Sequence, residues 1–167
     1  MKSPYFIGVF AALSLAGVRG SLAQAPTPVT WSVRAEDMLA MRPGAEARVT
    51  LVAAIAPGWH IYSLSQKPGG PIAMSIAVPH GQPFTLAGSV AGPKPEITTQ
   101  STFDVPVEWY SDSARFTVPL KLTTSASGTT LEGRIVTRFQ VCSETVCLPP
   151  RSITLPVRLQ QRREAGR

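Results

Sequence analysis

RIVTRFQVCSETVCLPPRSITLPVRL, residues 134–159, holds two alternating runs and, between them, both cysteines of the chain. In the first run Ile135, Thr137, Phe139 and Val141 share one side, while Val136, Arg138, Gln140 and Cys142 share the other. In the second, Ile153, Leu155, Val157 and Leu159 alternate with Ser152, Thr154, Pro156 and Arg158. A period of two marks a half-buried strand, because successive strand side chains point to opposite faces.

The same device recurs upstream. Ala47, Val49, Leu51, Ala53 and Ile55 form one face of a strand over 47–55. Phe116, Val118, Leu120 and Leu122 do so over 115–122, where Pro119, which has no N–H to donate, predicts an unpaired edge or a bulge. Shorter strand candidates are 29–34, 59–63, 72–78 and 107–110. No window of helical length sustains a 3.6-residue apolar period free of proline or glycine. Many short strands separated by Gly, Pro, Ser and Asp clusters predict an all-β antiparallel sandwich. Segments 67–71 and 91–102 read as loops, and the length of the second points to function.

The first 25 residues read as a secretory leader. Lys2 supplies the positive end, Tyr5 to Val18 the apolar stretch, and Ala23 or Ala25 a small residue before the cleavage point. The expected mature protein is soluble and periplasmic, with one domain over 26–160 and a basic tail over 161–167. Cleavage removes Lys2 and Arg19 but no acid, so the formal charge falls from +6 to +4. Without a basic patch interleaved with aromatics, nucleic acid is not an expected partner. No segment reads as membrane-embedded.

If the strands flanking Ser143 to Val146 pair as a hairpin, Cys142 and Cys147 stand opposite each other within disulfide reach. As a staple such a bond achieves little, since a loop this short restricts the unfolded chain by only about 2 kcal/mol. Pro149 and Pro150 keep the chain leaving Cys147 from continuing as a regular inner strand. Glu144, between the cysteines, is placed to raise a thiol pKa through its charge. The spacing is neither the Cys-x-x-Cys of thioredoxin-like redox sites nor part of a zinc pattern. In an exported protein the pair reads either as a structural disulfide or as an exchange site.

GWHIYS at 58–63, Phe103 and Tyr110 followed by a TVPL strand, and the terminal CSETVCLPP together resemble the N-terminal periplasmic domain of the thiol:disulfide interchange protein DsbD. The resemblance covers nearly all of the expected mature chain. It implies an immunoglobulin-like β-sandwich whose cysteines cycle between dithiol and disulfide with no bound cofactor. It also implies a thioredoxin-like or membrane DsbD-type electron donor, with thioredoxin-fold acceptors such as disulfide isomerases or cytochrome c maturation thioredoxins. By motif position Cys147 would form the mixed disulfide with a partner and Cys142 would resolve it. Phe103 falls where the family places a shielding phenylalanine. His60 and Tyr62 fall where it places two tyrosines beside the cysteines. The first of these is a departure, as are Ser101 and Thr102 where well-known members carry acids. Because the sequence ends at Arg167 without a membrane conduit, the expectation is a standalone carrier fed by another protein.

Two other readings compete. One is an interaction module with an inert disulfide. The other is copper handling by Met38, Met41, Met74, His60 and His80, since soft sulfur ligands suit Cu(I).

Overall fold

A computed structural model describes residues 27–35, 42–99, 103–124 and 130–161. The expected leader, Met38, Met41, Ser101, Thr102 and the tail beyond Gln161 lie outside the described residues. Every regular element among the described residues is a strand: β1 (Val29–Ala35), β2 (Glu46–Ile55), β3 (Trp59–Tyr62), β4 (Ser75–Ala77), β5 (Phe84–Leu86), β6 (Glu96–Thr98), β7 (Val107–Tyr110), β8 (Ser113–Leu122), β9 (Thr130–Phe139), β10 (Val141–Ser143) and β11 (Arg151–Gln160).

The strands pair antiparallel throughout, in the orders β1-β2-β8-β5, β10-β3-β7-β6 and β11-β9-β4. The last two groups form one layer, because β9 and β10 are a single run broken only at Gln140. Against that layer packs the first sheet, giving the immunoglobulin-like sandwich. The long alternating strands supply the core between the layers. Val49, Leu51 and Ala53 of β2, Phe116, Val118 and Leu120 of β8, and Ile135 of β9 are wholly buried, as their period of two requires. Ring contacts cross the layers at both ends: Trp31 of β1 lies 5.4 Å from Phe139 of β9, and Tyr110 of β7 lies 5.4 Å from Phe116 of β8.

Three expectations need correction. The strand holding Pro119 is an inner one, between β2 and β5, rather than an edge. Its far side, however, is paired in two pieces, with β5 over 120–122 and with Ala91 at Thr117. Pro119 sits in the gap, where its carbonyl accepts from Ala87 N at 2.9 Å and its missing N–H leaves no donor orphaned. The expected loop over 91–102 contains β6, and the expected strand over 72–78 shrinks to β4. Three-residue strands such as β5 and β6 are too short for a period of two to show.

Gly133 in β9 is fixed by packing. A Cβ there would meet the ring of Phe84 at 2.5 Å, and Phe84 is wholly buried. Gly133→Ala should therefore destabilise the domain by about 1–3 kcal/mol in urea unfolding. Adding Phe84→Leu to that variant should return part of the loss.

Candidate functional site

The site begins with a turn that the sequence builds locally. Ser143 Oγ accepts from Val146 N at 3.2 Å and from Thr145 N at 3.3 Å, so one hydroxyl satisfies the amides of the tip. Ser143 N donates to Val146 O at 2.8 Å and Leu148 N to Val141 O at 2.9 Å. These bonds bracket Cys142 and Cys147 as a non-hydrogen-bonded pair, the kind in which opposed residues approach most closely. The two cysteines are joined by a disulfide with Cα atoms 4.0 Å apart, nearer than the general spacing of paired strands predicts.

Below the tip the register slips by one. Cys142 faces Cys147, but Phe139 faces Arg151, which leaves Pro149 and Pro150 opposite Gln140 alone. This is a bulge made by two residues that cannot donate to a ladder. Gln140 Nε2 spans it by donating to Leu148 O at 3.3 Å.

On its other edge β10 pairs with β3, placing Cys142 directly across from His60. Strand alternation then puts Tyr62 on the same face, Trp109 of β7 across from Tyr62, and Glu96 of β6 across from Trp109. The opposite face of this sheet, carrying Val141, Ile61 and Tyr110, belongs to the main core. The cysteine face has a small core of its own, made of Tyr62, Val107 and Cys142 with Trp109 packed against it. The predicted opposition of Val141 and Cys142 holds, and both are buried because each face has its own cover.

The disulfide is consequently lopsided. Cys142 is 1% exposed, whereas Cys147 is exposed to solvent. Tyr62 Oη lies 3.8 Å from Cys147 Sγ, and since a disulfide sulfur carries no proton, the tyrosine is the donor. Burial pushes the Tyr62 hydroxyl pKa up, which keeps that proton in place. The His60 ring meets Tyr62 edge-on at 5.3 Å and lies tilted over Trp109 at 5.2 Å. Burial lowers the His60 pKa from its ordinary value, and the charge of Glu96 acts against that. Glu96 itself accepts a hydrogen bond from the Ser111 hydroxyl.

A second set of polar groups braces β7. Glu108 accepts from the hydroxyls of Ser63 and Ser65, with Ser63 fully buried. The side-chain amide of Gln66 donates to Lys67 O and Pro106 O, and its oxygen accepts from Glu108 N at 2.7 Å. Gly70 sits so close that a Cβ there would lie 2.5 Å from Gln66 Nε2. Gln66 thus fixes the chain that leads from Phe103 into β7.

Of the residues singled out from sequence, the structure brings together Cys142, Cys147, His60 and Tyr62. Phe103 lies in the bend before β7, 40% exposed, four residues from Val107 of the cysteine-side core. Glu144 is exposed on the turn, and Pro149 and Pro150 are exposed in the bulge. Met74 is buried in the main core and His80 is exposed at a turn. Among the described residues no three His, Cys, Asp or Glu side chains cluster as metal ligands. Sequence reasoning missed Trp109, Glu96, Gln66 and Glu108. Their roles depend on register between strands distant in the chain, for which no local signal exists.

An immunoglobulin-like sandwich carrying a lopsided disulfide at a hairpin tip defines a class of thiol-bearing β domain. Residues 27–158 match the family described as thiol:disulfide interchange protein DsbD, N-terminal, and the chain belongs to that family. Among solved structures it is similar to the N-terminal periplasmic domain of ScsB from Proteus mirabilis, with 20% identity and a TM-score of 0.53. That match covers 79% of this chain and 47% of the other, and it supports the fold. It is also similar to the N-terminal domain of DsbD from Neisseria meningitidis in the reduced form, with 18% identity over 74% of this chain and 87% of that one and a TM-score of 0.45. No curated protein matches in sequence. No helix among the described residues is long and apolar enough to cross a membrane.

The Glu108 brace carries a pH signature. Hydrogen bonds from Ser65 and then Ser63 hold its carboxyl below the ordinary carboxylate range, Lys67 adds to this, and burial opposes it. A depressed folded pKa stabilises the fold above the unfolded carboxylate pKa, and that contribution disappears as the pH falls through the folded value. The stability gap between wild type and Glu108→Gln in urea should be widest near neutrality and close in acid; a gap constant across this range would exclude the ionised brace.

Proposed function

We propose that this domain is a periplasmic thiol:disulfide exchange module that passes electrons through Cys142 and Cys147 to thioredoxin-fold partners. The observation that carries the reading is the unequal exposure of the two sulfurs on an outward-facing turn. Only Cys147 is open to an incoming protein, and the buried Cys142 is one bond away to release it. Family membership supports the same chemistry.

In the reduced domain the Cys147 thiolate attacks one sulfur of a partner disulfide. An S–S bond forms between Cys147 and that sulfur, and the partner's second sulfur leaves as a thiolate. Cys142 then attacks Cys147 Sγ, closing the internal disulfide and expelling the first partner sulfur with its electron pair. Two electrons and two protons pass to the partner, with no bound cofactor required. The reverse sequence, with a thioredoxin-like or membrane DsbD-type donor, recharges the pair.

Several groups fit this traffic. Tyr62 is placed to donate to Cys147 while its sulfur changes charge. Val146, 48% exposed beside Cys147, offers a partner an apolar contact, and Pro149 and Pro150 keep the approach free of strand pairing. By motif position Phe103 is the residue that would move over the pair as a shield until a partner displaces it. The leader reading at residues 1–25 and the family both support export to the periplasm.

Cys142→Ser should accumulate a mixed disulfide with a thioredoxin-fold protein through Cys147, and Cys147→Ser should not. The wild-type couple should have a reduction potential above about −300 mV, whereas inert structural disulfides commonly lie below it. A lower potential together with no trapped complex would leave an interaction module with a structural bond.

If Phe103 shields the pair, Phe103→Ala should speed reduction of the disulfide by dithiothreitol severalfold without moving its potential. An unchanged rate would remove the shielding role and leave the exchange chemistry intact.

A further inference from the structure

Cys142 poses a problem for the exchange chemistry. To resolve a mixed disulfide it must attack as a thiolate, yet it is 1% exposed in an apolar cluster with Tyr62 and Val107. Such a setting disfavours the thiolate, and solvent has little access to take the proton. A base within the fold is needed.

We infer that His60 accepts the Cys142 proton during the resolving step, an inference that rests on the exchange reading above. His60 is the direct cross-strand neighbour of Cys142 on the same face of the sheet. Side chains so paired have Cβ atoms about 4.5–5.5 Å apart, which an imidazole and a thiol bridge readily. The ring is not free to wander, because Tyr62 meets its edge and Trp109 lies beneath it. His60 is half-buried, so one side faces the cluster and the other is open enough to pass a proton to water.

The surrounding charges agree with this role. On β10 the titratable side chain facing His60 is Cys142 itself; on β7 the face carries Val107 and Trp109, which do not titrate. Tyr62, on the same strand, is kept protonated by burial and donates towards Cys147. Glu96 of β6 is the remaining charge felt by the ring, and its carboxylate favours the imidazolium. Burial outweighs Glu96 and keeps the resting imidazole neutral, the form that accepts a proton. Glu96 then steadies the cation that proton transfer creates.

The step balances. The Cys142 S–H proton moves to an imidazole nitrogen of His60. The sulfur's electron pair forms the bond to Cys147 Sγ, and the Cys147–partner bond breaks with its pair on the partner sulfur. That thiolate takes up a proton, and the imidazolium returns its own to solvent.

Reaction of the reduced full-length protein with dithiobis(nitrobenzoate) separates the two sulfurs. The first release of coloured thionitrobenzoate reports attack by Cys147, and the second reports resolution by Cys142. Both would be followed by stopped flow between about pH 5 and pH 9 in wild type, His60→Phe and His60→Tyr. The second release should slow on the order of tenfold or more near neutrality in both variants and recover as the pH rises, while the first keeps its wild-type rate. Two variants are used so that loss of ring packing is not mistaken for loss of the base.

A second release with unchanged rate and pH profile in either variant would overturn the role. So would equal slowing of both releases with a lowered unfolding midpoint, which marks a packing defect. Absence of a second release in wild type would remove the exchange reading itself, and this role with it.

Discussion

The site depends on the bulge that sets Pro149 and Pro150 against Gln140. Two prolines in succession remove two donors, and the ladder slips by one residue before it resumes at Leu148 and Cys147. The run β9–β10 can then serve two sets of partners. Up to Phe139 it pairs with β4 and β11, and from Val141 onward with β3 and the short return through Cys147.

That change of partners gives the upper sheet two covered faces. Val141 and Ile61 complete the main core, while Cys142 and Tyr62 start a second, smaller one. Cys142 is buried within that smaller cluster, while Cys147 remains exposed. The difference in exposure between the two sulfurs follows from which side of the hairpin faces the cluster. Gln66 and the Ser63–Ser65–Glu108 group then hold β7 in register beneath it.

The long strands were legible because ten residues are enough for a period of two to show. The faces of β2 and β8 emerge with the expected residues buried. β5 and β6, at three residues each, carry no such signal and exist because β8 and β7 offer them an edge. Pro119 was readable as a missing donor but not as a gap between two partial partners, since that depends on where β5 stops. For the site, the cysteines and prolines were visible locally, and the resemblance brought in His60 and Tyr62. Trp109 and Glu96 were not visible, because what places them is the pairing of β3 with β7 and of β7 with β6.

A redox pair must open and close without dismantling its surroundings. Were the S–S bond the main constraint on the hairpin, reduction would release the tip and scatter the groups arranged around it. Here the bond closes a loop so short that it restricts the unfolded chain by only about 2 kcal/mol. The tip has other supports: the Ser143 hydroxyl caps the turn amides, two backbone bonds bracket the cysteines, and three residues of β10 pair with β3. None of these requires the disulfide. On the proposed exchange reading these supports would stay in place when the bond is reduced, leaving the change at the two sulfurs and their protons. Of these, the Cys147 proton can exchange with solvent directly, whereas the Cys142 proton must leave through the protein, on the side where β3 presents His60.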